Sequence, residues 1–174
     1  MLYCAGAIRS LGRVDHGSAF LDTFSLERER GITIFSKQAL LSLPDCRITL
    51  LDTPGHADFA AEMERTLSVL DCAVVVVSGP AGIQSHTMTV WKLLRRRNIP
   101  TFLFVNKMDL PGAERTELLS RLRRSLGDGV VDWARPDWES AALSGEALLE
   151  EYLASGTVSP EGLRRAVAAG ELFP

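Results

Sequence analysis

Lysine is scarce in this chain. Only Lys37, Lys92 and Lys107 occur in 174 residues, and none stands in a G-x-x-x-x-G-K-[ST] loop. Such a loop cradles phosphates with backbone N–H groups and a lysine, so that form of phosphate site is excluded from these residues. No apolar run is long enough to span a bilayer. No basic, apolar, small-residue signal opens the chain. Cysteine is limited to Cys4, Cys46 and Cys72, scattered and odd in number, which excludes a zinc-type cluster. They read as reduced thiols in a cytoplasmic protein. The net charge of −3 argues against bulk-charge binding of nucleic acid, and no sequence-specific DNA partner is expected. Repeats and low-complexity segments are absent as well.

What is present looks globular, with 46% apolar and 24% charged residues. The length allows at most one domain, or part of a larger one. Three apolar runs, at Arg47–Asp52, Cys72–Ser78 and Thr101–Asn106, read as buried parallel strands. Helical patterns alternate with them. Phe59, Met63, Leu67 and Leu70 share one helical face, and Thr87, Trp91, Leu94 and Asn98 another. The second pattern ends in Arg95-Arg96-Arg97, read as a solvated helix end that suits the helix dipole. The alternation predicts an α/β fold with a parallel sheet. Residues 110–174 read as helical layers on the same sheet, without a separate domain. Within them Leu118, Leu122 and Leu126 form one stripe, closed by Gly127 as a C-cap. Leu148, Leu149, Tyr152 and Leu153 form another, and Ser159-Pro160 opens a last helix. Residues 129–142 read as irregular. The first forty residues are the least regular, and the charge run Glu27-Arg28-Glu29-Arg30 reads, taken alone, as solvated.

Two short motifs close predicted strands, where open α/β sheets bind ligands. At Asp52-Thr53-Pro54-Gly55-His56, the Asp52 carboxylate can face a magnesium ion through water. Pro54 fixes the backbone and Gly55 can bring a bare N–H against a phosphate. His56, at the mouth of a helix, can orient an attacking water, which is much of what phosphoryl transfer requires. At Asn106-Lys107-Met108-Asp109, a carboxylate can accept both N1–H and the 2-amino group of guanine. Adenine offers no such pair and would leave Asp109 unmatched, at about 1–3 kcal/mol. Asn106 can bridge loops, and the stem of Lys107 can cover one face of a ring. Asn106 follows Asp52 by 54 residues, with a helix, a strand and a second helix read between them, and it too closes a buried strand. Thr33 precedes Asp52 by 19 residues and is the candidate switch threonine, with a hydroxyl for magnesium and an N–H for a terminal phosphate.

Together these residues resemble the GTP-binding domain of the translational GTPases, most specifically at Arg30-Gly31-Ile32-Thr33-Ile34, Asp52 to His56, and Asn106 to Asp109. Within that superfamily the chain looks closest to elongation factor G and the tetracycline-resistance ribosomal protection proteins. Ala5-Gly6-Ala7-Ile8, Leu11-Gly12 with Val14-Asp15, Leu26-Glu27-Arg28 and Leu67-Ser68-Val69-Leu70-Asp71 carry the likeness to the latter. The resemblance implies the P-loop NTPase fold: a Ras-like G domain, a three-layer sandwich with a mostly parallel sheet. It implies roles as well. Thr33 would be the switch I contact to magnesium and phosphate, Ile32 part of a hydrophobic gate, and Asp52 the aspartate joined to magnesium through water. Gly55 would be the switch II phosphate contact and His56 would position water. Asn106, Lys107 and Asp109 would read guanine. The implied ligands are GTP or GDP with Mg2+, and the implied partner is the ribosome.

The family pattern also begins with a strand, a phosphate loop and the start of a helix ahead of Leu2. Residues 1–174 are therefore expected to be a partial G domain, with Met1 inside that helix and the first strand and phosphate loop missing. A phosphate loop supplies several charge-assisted bonds of about 1.5–3 kcal/mol each. Losing four removes about 6–12 kcal/mol, against about 8 for micromolar binding, so these residues alone are expected to bind GTP weakly or not at all. The missing strand would lie between those ending at Asp52 and Ser78, leaving exposed ladder groups and an aggregation hazard. The other function considered is a degenerate, non-catalytic G domain that serves as an interaction module.

Overall fold

The computed structural model describes residues 2–9, 21, 25–30 and 32–174. They fall into two compact units, Met1–Val69 and Leu70–Pro174. Met1, Leu11, Gly12, Val14, Asp15 and Gly31, which the family resemblance drew on, lie outside the described residues.

In the first unit, residues 2–9 make turns. Ala7 N–H donates to Leu2 O at 2.9 Å and Gly6 N–H to Tyr3 O at 3.0 Å, with Gly6 at φ +70°. That bond pair with a left-handed glycine is the pattern that closes a helix C-terminus. The short helix α1 (Ser25–Arg30) follows, then β1 (Lys37–Ser42), β2 (Arg47–Asp52), a 3-10 turn (Ala57–Phe59) and α2 (Ala60–Leu67). β1 and β2 form an antiparallel hairpin, from Lys37 opposite Asp52 to Ser42 opposite Arg47. Pro44 and Asp45 turn the chain, and Leu43 N–H donates to Cys46 O at 2.9 Å.

This corrects the sequence reading of Arg47–Asp52 as a strand in parallel pairing: among the described residues its partner is the antiparallel β1. The signal of β1 is weak because only Ala39 and Leu41 are buried while Leu40, between them, is an exposed leucine. An apolar residue on the wet face blurs a period of two. α2 buries Met63, Thr66 and Leu67, spaced three and four apart.

In the second unit, β3 (Ala73–Ser78) pairs in parallel with β4 (Thr101–Asn106), Ser78 opposite Asn106. The run from α3 (Ser85–Arg96) to β4 completes a β-α-β crossover. α3 buries Trp91 and Leu94. Arg96 and Arg97 are exposed as expected of a solvated helix end. Arg95 is exposed as well and also makes contacts: its Nη1 donates to Gly170 O, and its guanidinium lies 4.9 Å from the Phe173 ring centroid. α4 (Arg115–Leu126) buries Leu118, Leu122 and Leu126 and ends at Gly127, at φ +123°.

Residues 129–137 are largely irregular, and α5 (Trp138–Ala142), α6 (Glu146–Ser155) and α7 (Pro160–Ala168) close the unit. Asp137 and Ser159 cap α5 and α7 by accepting from Ser140 N at 3.3 Å and Gly162 N at 3.0 Å. Val131, Ala141, Leu148, Leu163, Ala166 and Leu172 form a core, flanked by Trp138, Val158 and Val167. The expected stripe on α6 is only partly inward: Leu148 is buried, whereas Leu153 is 76% exposed. Two leucines five positions apart on a helix point in different directions. The last residues stitch the unit: Leu103 N–H donates to Pro174 O at 2.8 Å, Val131 N–H to Phe173 O at 3.0 Å, and Phe173 N–H to Gly129 O at 2.8 Å. A Cβ on Gly129 would stand 2.0 Å from Glu171 O, so only glycine admits that approach.

Candidate nucleotide-binding elements

The second unit builds one element at the carboxyl ends of its parallel strands, where open sheets bind ligands. Asn106 ends β4, and its carbonyl accepts from Gly79 N at 2.8 Å. Its side-chain Oδ1 accepts from Lys107 N at 2.9 Å. Lys107 takes φ 61°, the left-handed region that a side-chained residue seldom occupies. Lys107 O then accepts from Leu110 N at 3.3 Å. A strained residue held by bonds on both sides marks a constrained loop. Asn106, Lys107, Met108 and Asp109 are all exposed, so the Asp109 carboxylate is open to a ligand. A Cβ on Gly79 would meet Met108 Sδ at 2.8 Å and Ala113 Cβ at 3.1 Å. Gly79 supports this loop, and sequence reasoning passed over it; its signal was Gly79-Pro80 directly after a predicted strand.

The first unit builds the other element. Asp52 ends β2, half-buried, opposite Lys37 at the start of β1. Pro54 is among the most deeply buried side chains, which pins the turn that follows. Gly55 is exposed, and a Cβ there would touch nothing within 4 Å. The chain itself does not crowd Gly55, so nothing within the described residues requires glycine there. His56 is 54% exposed on its side chain, with Nδ1 accepting from Asp58 N at 3.3 Å and 3.4 Å from Asp58 Oδ2. Its ring centroid lies 6.2 Å from that of Phe59. Its carbonyl accepts from Phe59 N at 3.0 Å, opening the 3-10 turn. Ile32 and Thr33 are half-buried in the segment that leads into β1.

Glu27 overturns the solvated reading of its charge run. Its side chain is 0% exposed, whereas Glu29 is exposed. The Glu27 carboxylate accepts from Ile34 N at 2.9 Å and Phe35 N at 3.3 Å and pairs with Lys37 Nζ. A charge run cannot tell which member turns inward, so neither Glu27 nor Lys37 was legible as part of a site. Ile32, Thr33, Asp52, Gly55 and His56 thus fall in the first unit, and Asn106, Lys107 and Asp109 in the second.

Elsewhere in the second unit, charged groups serve structure. Arg115 donates from Nε and Nη2 to the two oxygens of Asp132, both at 2.5 Å. That bidentate bond holds the Asp132 carboxyl below its ordinary range and raises the guanidinium of Arg115. Hydrogen bonds from Ser159, at the N-cap of α7, lower Glu151, whose Oε1 accepts Ser159 N at 2.6 Å. Cys4, Cys46 and Cys72 are free and exposed. Among the described residues no group of three or more His, Cys, Asp or Glu side chains is placed to hold a metal ion, and no helix is long and apolar enough to cross a membrane. A magnesium ion shared with nucleotide phosphates needs fewer protein donors: one or two hard oxygens suffice. The Thr33 hydroxyl and the Asp52 carboxylate are donors of that kind.

The family model for the elongation factor Tu GTP-binding domain matches residues 1–168. The tetracycline resistance protein TetP of Clostridium perfringens is 44% identical over 131 residues, covering 75% of this chain and 20% of its own length. The mitochondrial ribosome-releasing factor 2 of Drosophila melanogaster is 46% identical over 126 residues, covering 72% of this chain and 17% of its own. A crystal structure from Thermus thermophilus superposes with a TM-score of 0.83 at 26% identity, covering 99% of this chain and 33% of that one. The chain spans 20% to 30% of the length of the first curated relatives it matches. With the α/β architecture, the parallel strand pair and a family match over nearly all its residues, the chain belongs to the GTP-binding domain family of the translational GTPases.

Proposed function

We propose that this chain carries the guanine-reading and switch elements of a ribosome-associated GTPase. The observation that carries the reading is the Asn106–Asp109 loop, held at the end of β4 by the left-handed Lys107 and the bond to Gly79. Asp109 accepts from guanine N1–H and the 2-amino group. Asn106 keeps the loop joined to the end of β3, and the Lys107 stem covers the base. Thr33 and, through water, Asp52 would hold the magnesium ion, which supplies charge neutralisation on the phosphates when bound. Gly55 offers its N–H to the terminal phosphate. His56, exposed at the start of the 3-10 turn, orients the attacking water, and Ile32 gates access to it. Hydrolysis of GTP then serves a step on the ribosome, either elongation or protection from tetracycline, in the cytoplasm or an organelle. None of the three lysines lies in a phosphate loop, so residues 1–174 alone are inactive or nearly so, and bind guanine nucleotides more weakly than micromolar.

Calorimetric titration of GTP, GDP and ATP with magnesium into the folded chain tests this. Weak binding of GTP and GDP with none of ATP supports the reading. Binding of ATP as strong as that of GTP would overturn it. Micromolar affinity for GTP would reveal a phosphate site among these residues.

A further inference from the structure

Glu27 is the most deeply buried charged group described in the first unit, and no role assigned above uses it. Its bonds reach into the segment that carries Thr33. The Glu27 carbonyl accepts from Ile32 N at 3.3 Å, just before Thr33. Its carboxylate accepts from Ile34 N at 2.9 Å and Phe35 N at 3.3 Å, just after it, and pairs with Lys37. One residue thus holds the chain on both sides of Thr33.

A buried carboxylate is tolerated only where it is paired and hydrogen-bonded, and its bonds then select one geometry. The Lys37 side chain is only 11% exposed, and Lys37 opens β1 directly opposite Asp52. The same segment is tied from its other side. Ser36 N–H donates to Glu62 Oε1 at 3.4 Å, and the Ser36 and Thr66 hydroxyls lie 2.8 Å apart, both partners being on α2. Residues 32–37 are therefore strapped between α1 and α2, with Thr33 inside the strap.

We propose that Glu27 is the positioning residue for Thr33: with Lys37 as its counter-charge, it clamps residues 32–37 in one conformation and ties them to the Asp52 end of the hairpin. That Thr33 serves a nucleotide rests on the reading above; the clamp itself does not. Glu27→Gln keeps the shape and removes the charge. The amide oxygen can still accept from both backbone N–H groups, which share Oε1, but without charge assistance, and the NH2 in place of Oε2 no longer attracts Lys37.

The test is amide hydrogen exchange and NMR of the full 174-residue chain. Wild type is compared with Glu27→Gln and Lys37→Met. Ile34 and Phe35 amides are expected to exchange at least about ten-fold faster in either variant. The β1–β2 ladder amides, such as those of Leu41 and Leu50, should change far less. The Thr33 resonances should shift in both variants, and the double variant should be no faster at Ile34 and Phe35 than the faster single one. Unchanged exchange at Ile34 and Phe35 in a folded variant would overturn the clamp. So would equal acceleration of the loop and the ladder, which would mark a merely structural pair. Should Glu27→Gln fail to fold, Lys37→Met decides by the same criterion, because it leaves the carboxylate and its backbone donors in place. Failure of wild type to prefer GTP over ATP would count against the nucleotide reading alone and leave the exchange result standing.

Discussion

The backbone N–H of Gly79 donates to the carbonyl of Asn106 at 2.8 Å, joining the loop after β3 to the end of β4. The space beside Gly79 is narrow. A Cβ there would press on Met108 Sδ and Ala113 Cβ, at 2.8 and 3.1 Å. Gly79→Ala is expected to lower stability by about 1–3 kcal/mol through overpacking, and to displace the Met108 loop that presents Asp109. Urea unfolding measures the first effect, and amide shifts at Lys107 and Asp109 the second. A variant as stable as wild type with unmoved shifts would show that the loop yields freely.

The Arg115–Asp132 pair gives the second unit an acid-sensitive contact. Asp132 titrates below its ordinary value in the folded chain because Arg115 bonds its charged form. A carboxylate whose folded pKa is depressed contributes stability above its unfolded pKa, about 3.9, and loses it as pH falls through the folded value. Wild type and Asp132→Asn should therefore differ in urea midpoint at about pH 6 and converge as the pH falls through the depressed folded value. A constant difference across that range would mean that the contact does not depend on ionisation.

One face of the β3–β4 pair is open. Val74, Val76, Phe102 and Phe104 are exposed, Val76 by 61% and Phe104 by 56%. Parallel strands are normally covered on both faces, and an exposed apolar strand invites association. The isolated chain is expected to bind a hydrophobic dye and to scatter light increasingly with concentration. Val76→Lys should reduce both while moving the unfolding free energy by no more than about 0.5 kcal/mol, as a surface change does. Undiminished scattering in the variant would place the association elsewhere.

Much of this fold was legible because its strands and helices announce themselves chemically. Val74 to Val77 can hardly be anything but a buried or half-buried strand, and Leu118, Leu122 and Leu126 lie on one line of a helix. β1 was not legible, since Leu40 faces out between the buried Ala39 and Leu41. The inward turn of Leu148 and the outward turn of Leu153 depend on what packs against α6, which a local pattern does not contain. The motif residues could be singled out by their chemistry at strand ends. The groups that hold them could not. Glu27 sits in a run of alternating charge, and the burial of one acid in that run comes from partners up to ten residues away. The role of Gly79 comes from packing against Met108 and Ala113, which are distant in sequence.

The most direct test of the account is the base preference of Asp109→Asn. Wild-type and variant chains would be titrated with millimolar GDP, XDP and ADP, following the amide resonances of Asn106 to Asp109 by NMR, a method suited to weak binding. An amide at this position matches the carbonyl that xanthine carries in place of the guanine 2-amino group. Wild type is expected to respond to GDP above XDP and ADP, and the variant to XDP above GDP. Retained GDP preference in the variant, or equal response of wild type to ADP, would contradict it.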